Sequence, residues 1–181
     1  KYFKSYEFKK NKKKIILIGS IKLIQQQMKI LKYNFRINEI DKINSYKSKF
    51  INVLNVEYKF KKAFSKITSS SNNYIEKCFN LATLLIKDNK LNKLINGPIS
   101  KTHFLKRKFA GITEYISYKT KTKDQVMLIY NDKLAVCPLT THLPIKNVSK
   151  NIKKTKIINK IIKINNFYLS KLGKKPQIAI L

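Results

Sequence analysis

Ile15-Ile16-Leu17-Ile18 is a continuous apolar run of four residues, ended at once by Gly19-Ser20. A run without polar alternation reads as a strand buried on both faces, which needs neighbouring strands and helices above and below. We therefore expect a central parallel strand here. Ser20 offers a hydroxyl to the free N–H groups of a following helix. In that helix Ile21, Ile24, Met28 and Leu31 recur at helical spacing, with Gln25 to Gln27 on the other side. Strand, tight turn and amphipathic helix together make the repeating unit of an α/β protein.

The rest of the chain repeats this grammar. Lys1 to Lys14 is basic and aromatic and reads as a helix end and a loop. Short strands are expected at Phe35 to Ile40 and Phe50 to Val56. Ser69 to Asn72 supplies caps for a helix whose apolar stripe is Tyr74, Ile75, Cys78, Leu81, Ala82, Leu85 and Ile86. Leu94-Ile95 reads as a strand running into Asn96-Gly97-Pro98-Ile99-Ser100-Lys101, which opens a helical turn, and Gly111 opens another helix. Val126 to Tyr130 and Lys133 to Val136 read as strands joined by Asn131-Asp132, the second of them buried. Val148 to Leu172 reads as helical, in one or two pieces, with Ile157, Ile158, Ile161, Ile162, Ile164, Phe167, Tyr168 and Leu172 as its buried face. Gly173 suits the position after the helix, and Gln177 to Leu181 reads as a final strand. The expected fold is a layered α/β architecture with a mostly parallel sheet. Residues 1–93 form its outer part and 94–181 its site-bearing part. Starting at Lys1 and stopping on an apparent core strand, the sequence reads as a central fragment cut at both ends.

Apolar residues make up 43% of the 181, enough to bury a core. The net charge of +31 suggests nucleic acid as a partner. Arg36 and Arg107 are the only arginines, however, and the lysines are spread along the whole chain. Specific phosphate and base recognition relies on arginine's planar fork, so no specific nucleic-acid partner is expected. Heavy use of Lys, Asn, Ile, Tyr and Phe matches AT-rich coding. Cys78 and Cys137 have no framework or metal-like spacing, which fits a reducing cytoplasm. No apolar run approaches the roughly 20 residues of a membrane helix, so no membrane role is expected.

Three places could carry chemistry. Val136-Cys137-Pro138-Leu139-Thr140-Thr141-His142-Leu143-Pro144 leaves a strand and presents two hydroxyls and an imidazole between two prolines. The turn at Gly97 and Lys101 could bind an anion, through helix-start N–H groups and a lysine charge; a plain strand–helix turn is the simpler reading. Ser100 has no histidine base beside it in sequence and reads as a cap, and His103 reads as solvated. Thr113-Glu114 follows Gly111, and capping with a dipole-favoured acid accounts for it.

Asn96-Gly97-Pro98-x-x-Lys101, Gly111-x-Thr113-Glu114, Thr140-Thr141-His142-Leu143-Pro144 and the helix closing on Leu172-Gly173 occur in this order and spacing. Together they resemble the middle of the 4-hydroxythreonine-4-phosphate dehydrogenase family of pyridoxal phosphate biosynthesis. The resemblance spans nearly all the chain, thinning before Leu94. It implies an isocitrate/isopropylmalate-dehydrogenase-like three-layer α/β/α fold, incomplete here, and a cytoplasmic homodimer. It also implies NAD (or NADP) and a divalent metal (Zn, Mg or Co). By position, His142 would be one of three histidine metal ligands and Thr113 would contact the substrate, a small phosphorylated hydroxy-amino acid. The family usually has histidine where this chain has Ile112, and threonine where it has Asn96.

The activity implied is metal-assisted oxidation of 4-phosphooxy-threonine to a 3-oxo acid, which decarboxylates to 3-amino-2-oxopropyl phosphate. A cation held by neutral imidazoles would stabilise the alkoxide and then the enolate. One histidine cannot hold such a cation, so the other ligands are expected beyond Leu181 and the fragment alone is expected to be inactive. Three alternatives follow from the same residues: a sister dehydrogenase for another phosphorylated hydroxy acid such as 4-phosphothreonate, a lysine-rich nucleic-acid-binding module, or a catalytically silent relative.

Overall fold

A computed structural model describes residues 14–123 and 125–181 of the chain. The helix end expected over Lys1 to Lys14 falls, apart from Lys14, outside the described residues. The chain divides into two compact units, one running to Arg107 and the other from Lys108.

In the first unit, strands β1 (Ile16–Gly19), β2 (Ile37–Glu39) and β3 (Ile51–Asn55) form a parallel sheet in the order β1-β3-β2. Ile16 lies opposite Asn52 on one side of β3, and Ile37 opposite Ile51 on the other. All three expected strands are present, but the central one is β3. β1 lies at an edge of the three strands, correcting the position expected for it. Burial explains the order: Ile51, Val53 and Leu54 of β3 are 4%, 0% and 7% exposed, whereas β1 is only half-buried up to Gly19. Each such side chain removed from water contributes about 1.5–3 kcal/mol.

Asn52 is the polar exception inside β3, 2% exposed. Its Oδ1 accepts from the Lys47 N–H and Asn38 Nδ2, both at 2.8 Å. Its Nδ2 donates to the carbonyls of Lys47 (2.8 Å) and Phe50 (3.1 Å). The amide thus satisfies the backbone of the loop entering β3, which would otherwise be left unpaired.

After β1 the chain turns at Gly19-Ser20 into helix α1 (Ile21–Ile30). Ser20 is the N-cap, as expected, its Oγ accepting from the Leu23 N–H at 3.3 Å. Asn55 Oδ1 accepts from the Ile21 N–H (3.1 Å), and the Tyr74 hydroxyl accepts from the Ser20 N–H (3.0 Å). Tyr74 belongs to α2 (Asn72–Lys87) and stacks on Tyr58, ring centroids 4.6 Å apart. A Cβ on Gly19 would lie 3.0 Å from the Tyr74 oxygen, so the approach uses the space glycine leaves. Burial pushes the Tyr74 phenol up to about 12, with the Ser20 N–H opposing it.

The second unit holds α3 (Ile112–Thr120), the antiparallel pair β4 (Ile129–Tyr130) and β5 (Ala135–Val136), α4 (Val148–Asn151) and α5 (Lys154–Phe167). A π-helical turn, Tyr168–Leu172, ends on Gly173 at φ 65°, the left-handed position expected for it. Several expectations need correction. The hairpin is far shorter than expected, and Leu134 and Val136 are 71% and 51% exposed rather than buried. Leu94-Ile95 forms no strand; Ile95 is 92% exposed, and Pro98 shortly after it lacks the N–H a ladder needs. Residues 177–181 likewise form no strand, since no described strand pairs with them. The stripe of α5 is half-buried at Ile157, Ile161 and Ile164, while Ile158, Ile162 and Phe167 are exposed. Among the described residues no helix is long and apolar enough to cross a membrane.

Two outcomes follow. Asn52→Leu keeps the branched shape but leaves the Lys47 and Phe50 backbone groups without this partner, and should lower stability by about 3 kcal/mol in urea denaturation. For Tyr74, the unfolded phenol ionises from its ordinary 10.0 while the folded one stays protonated to about 12. Its contribution is therefore complete below pH 10 and is lost as pH rises from 10 towards 12. Denaturation midpoints across that range should fall less steeply for Tyr74→Phe than for the unaltered protein.

Candidate active site

β5 ends at Val136, and the following loop is tied to α5: Lys160 Nζ donates to the Pro138 carbonyl at 2.9 Å. At its far end the Asn147 N–H donates to the Pro144 carbonyl at 2.8 Å, closing a short turn. Thr140 and Thr141 between these anchors are half-buried. His142 has φ 56°, the left-handed region that costs a branched-Cβ-free side chain about 1 kcal/mol or more. Residues held in that region tend to be held there by their surroundings, and such strain gathers at functional sites.

The His142 side chain is exposed as a whole, yet its Nε2 lies 3.5 Å from where a Cβ on Gly111 would stand. Glu114 Oε2 lies 3.0 Å from that same point. Gly111 is buried and precedes α3 with extended backbone, φ −163° and ψ −176°. Its missing Cβ is what leaves room for an imidazole and a carboxylate at one place. The helix expected after Gly111 is thus present, and the imidazole of His142 is set against its first turn.

Glu114 stands where the helix dipole favours an acid. Capping was the expected role, yet its Oε2 is closed off from solvent and has no hydrogen-bond partner. Thr113, half-buried, precedes it on the same turn, and Ile112, the first helical residue, offers only hydrocarbon. The structure therefore brings His142, Gly111 and Glu114 together, with Thr113 on the same turn. Sequence reasoning missed Glu114 as a site residue. The available signal was an acid at the third helical position behind a glycine.

Gly97 and Lys101 belong to the other unit, and both are exposed. The helix expected to open there is not formed. The segment is a turn closed by the Phe104 N–H on the Ser100 carbonyl at 3.0 Å, so the dipole argument for an anion has no helix behind it. His103 also differs from expectation. It is half-buried, its Nδ1 lies 3.0 Å from Ser100 Oγ, and its carbonyl accepts from Asn72 Nδ2 at 2.7 Å. Ser100 Oγ accepts from the His103 N–H at 3.2 Å, a contact within the turn with no helix behind it to cap, which corrects the capping role expected of Ser100. The pair was hidden because three residues of a turn, unlike three of a strand, bring side chains together. It borders a cleft of about 290 Å³ with Ile67, Thr68 and Pro98. Burial pushes the Cys78 thiol up, and Cys78 and Cys137 are both free. No group of three or more His, Cys, Asp or Glu gathers among the described residues.

Structural comparison finds the same α/β fold in solved proteins. The chain superposes on a 4-hydroxythreonine-4-phosphate dehydrogenase from Burkholderia phymatum with TM-score 0.73 at 18% identity, covering 85% of this chain and 48% of that one. A putative 4-hydroxythreonine-4-phosphate dehydrogenase from Salmonella typhimurium gives TM-score 0.73 at 21% identity, covering 88% and 51%. Identities this low speak for the fold alone.

Sequence carries the assignment further. The family described as Pyridoxal phosphate biosynthetic protein PdxA matches over residues 11–181, and the chain belongs to that family. A 4-hydroxythreonine-4-phosphate dehydrogenase from Sulfurihydrogenibium sp. (strain YO3AOP1) is 32% identical over 172 residues, 92% of this chain and 52% of that protein. A D-threonate 4-phosphate dehydrogenase from Salmonella typhimurium is 25% identical over 118 residues, 64% of this chain and 36% of that protein. The chain spans about half the length of the curated relatives it matches most fully.

The two histidines should differ in reactivity. Diethyl pyrocarbonate followed by peptide mass spectrometry should modify exposed His142 before His103, whose Nδ1 is engaged by Ser100. Equal rates would contradict that contact.

Proposed function

We propose that this chain is the central part of an NAD- or NADP-dependent dehydrogenase that oxidises 4-phosphooxy-threonine with the help of a divalent cation, in pyridoxal phosphate biosynthesis. The observation that supports the reading is the closeness of the His142 imidazole to Gly111, the residue from which α3 starts. Family membership and the names of the relatives support it.

The donors fit a cation in part. An imidazole nitrogen and a carboxylate oxygen converge at Gly111, and the oxygen lacks any partner. Both are ligand types for zinc, cobalt or manganese. The two further histidine ligands the resemblance implies are not gathered with these two donors among the described residues. When bound, the cation supplies Lewis acidity at the substrate hydroxyl, and the nicotinamide supplies a hydride acceptor.

The chain's own residues do the positioning. His142, held by a loop anchored at Pro138 and Pro144, presents its ring at a fixed place. Thr113 offers a hydroxyl to an oxygen of the substrate. Lys101 and the N–H groups near Gly97 remain candidates for an anionic group, by charge rather than by a helix dipole. The product acid then loses carbon dioxide to give 3-amino-2-oxopropyl phosphate. A cytoplasmic setting accords with the two free thiols.

A second substrate has a specific observation in its favour. Ile112 cannot donate a hydrogen bond where the family usually has histidine, and several relatives are named D-threonate 4-phosphate dehydrogenases. A sister activity on 4-phosphothreonate therefore stands as the alternative.

Assay of the full-length protein with both substrates, each with NAD and NADP, tests the reading. Reduced nicotinamide should form with 4-phosphooxy-threonine, stop after chelation and return with added Zn, Mg or Co. Ile112→His should lower KM by about tenfold, the effect of one hydrogen bond to a charged substrate. Turnover of 4-phosphothreonate alone would select the sister activity, and turnover of neither would end the reading.

A further inference from the structure

We propose that Glu114 is a second protein ligand for the divalent cation at His142, which rests on the cation reading above and extends it. The argument begins with a buried oxygen. Glu114 Oε2 is closed to solvent and has no hydrogen-bond partner. A carboxylate in that condition is strongly disfavoured unless a cation or donors meet it. Among the described residues no lysine or arginine forms an ion pair with it, and the helix start does not use this oxygen for capping.

The second observation is independent. The nearest chemistry-bearing neighbour of the same spot is an imidazole nitrogen: the point where a Gly111 Cβ would stand is 3.0 Å from Glu114 Oε2 and 3.5 Å from His142 Nε2. An imidazole nitrogen and a carboxylate oxygen are a metal-ligand pair, each bound at about 2.0–2.2 Å by a zinc-like ion. Glycine at 111 lets both groups approach the backbone this closely, because a side chain there would press on the carboxylate. The required cation comes from outside the chain. Two sources share that chemistry: a divalent metal, and the ammonium group of an amino-acid substrate. We assign the metal, because the imidazole adds a second donor suited to it. The ammonium alternative is separated by binding measurements made without substrate.

The test uses full-length protein stripped of metal and titrated with Co(II), read by calorimetry and by the visible absorption of the bound ion. Glu114→Gln, which keeps the shape and removes the charge, should shift the absorption band and weaken Co(II) binding by more than the roughly 10–100-fold that loss of an outer-shell partner costs. Its melting temperature without metal should be no lower than that of the unaltered protein, since the variant removes an uncompensated charge. Gly111→Ala should weaken binding in the same direction, and exposed Glu39→Gln should not change it. If Glu114→Gln binds Co(II) with unaltered affinity and spectrum while His142→Ala loses it, Glu114 is not a ligand and the cation reading stands. If the unaltered protein takes up no Co(II), or His142→Ala binds it equally well, the cation reading fails and takes this proposal with it.

Discussion

β3 cannot exist alone. Four consecutive residues, Ile51 to Leu54, are buried, so both faces must be covered and both backbone edges paired. β1 and β2 supply the edges in parallel register. Parallel pairing in turn requires a crossover from each strand to the next, and α1 fills the first of them. The one buried polar side chain of this strand, Asn52, meets the same constraint differently, by serving the backbone of its own entry loop. Fully hydrogen-bonded, a buried amide of this kind fixes one register; half-bonded, it would destabilise the strand.

The turn after β1 shows how one crossover is secured. Three N–H groups lie free at the start of α1, and three different elements answer them. Ser20 caps from within, Asn55 reaches across from the end of β3, and Tyr74 arrives from α2. The sheet, its first helix and the next helix thus meet at one polar joint. Tyr74 reaches it because its ring stacks on Tyr58 and because Gly19 presents no side chain.

Local signals were readable where one element decides its own state. Ser20 as a cap, the stripe of α2, the helix after Gly111 and the left-handed Gly173 all follow from spacing and residue type. What depends on neighbours was not readable. The apolar run at Ile15 to Ile18 does not say whether it lies at the centre or edge of a sheet. Leu94-Ile95 and Ile178 to Leu181 have strand composition but no strand beside them. At the candidate site, His142 and Thr113 were singled out through the motifs that carry the family resemblance, and the structure adds only that the His142 ring lies near Gly111. The Ser100–His103 contact and the role of Gly111 were not, since both arise from how turns fold back in space.

The charge of the chain sharpens the case of Glu114. There are 40 lysines and arginines for 9 acids, so a carboxylate at the surface is seldom far from an ammonium. Lys90 and Asp88 show what that gives: a pair at 3.3 Å, exposed on both sides, worth at most about 1 kcal/mol. Glu114 has the same cations in the surrounding solvent, yet its Oε2 is turned inward. A lysine would not solve its burial, because an ammonium is strongly hydrated and must give up that water to follow. A small divalent ion shared with an imidazole gives back in coordination bonds what the carboxylate loses in hydration. Such an ion cannot be held by the oxygen alone, and the strained backbone at His142 is what sets the second donor beside it.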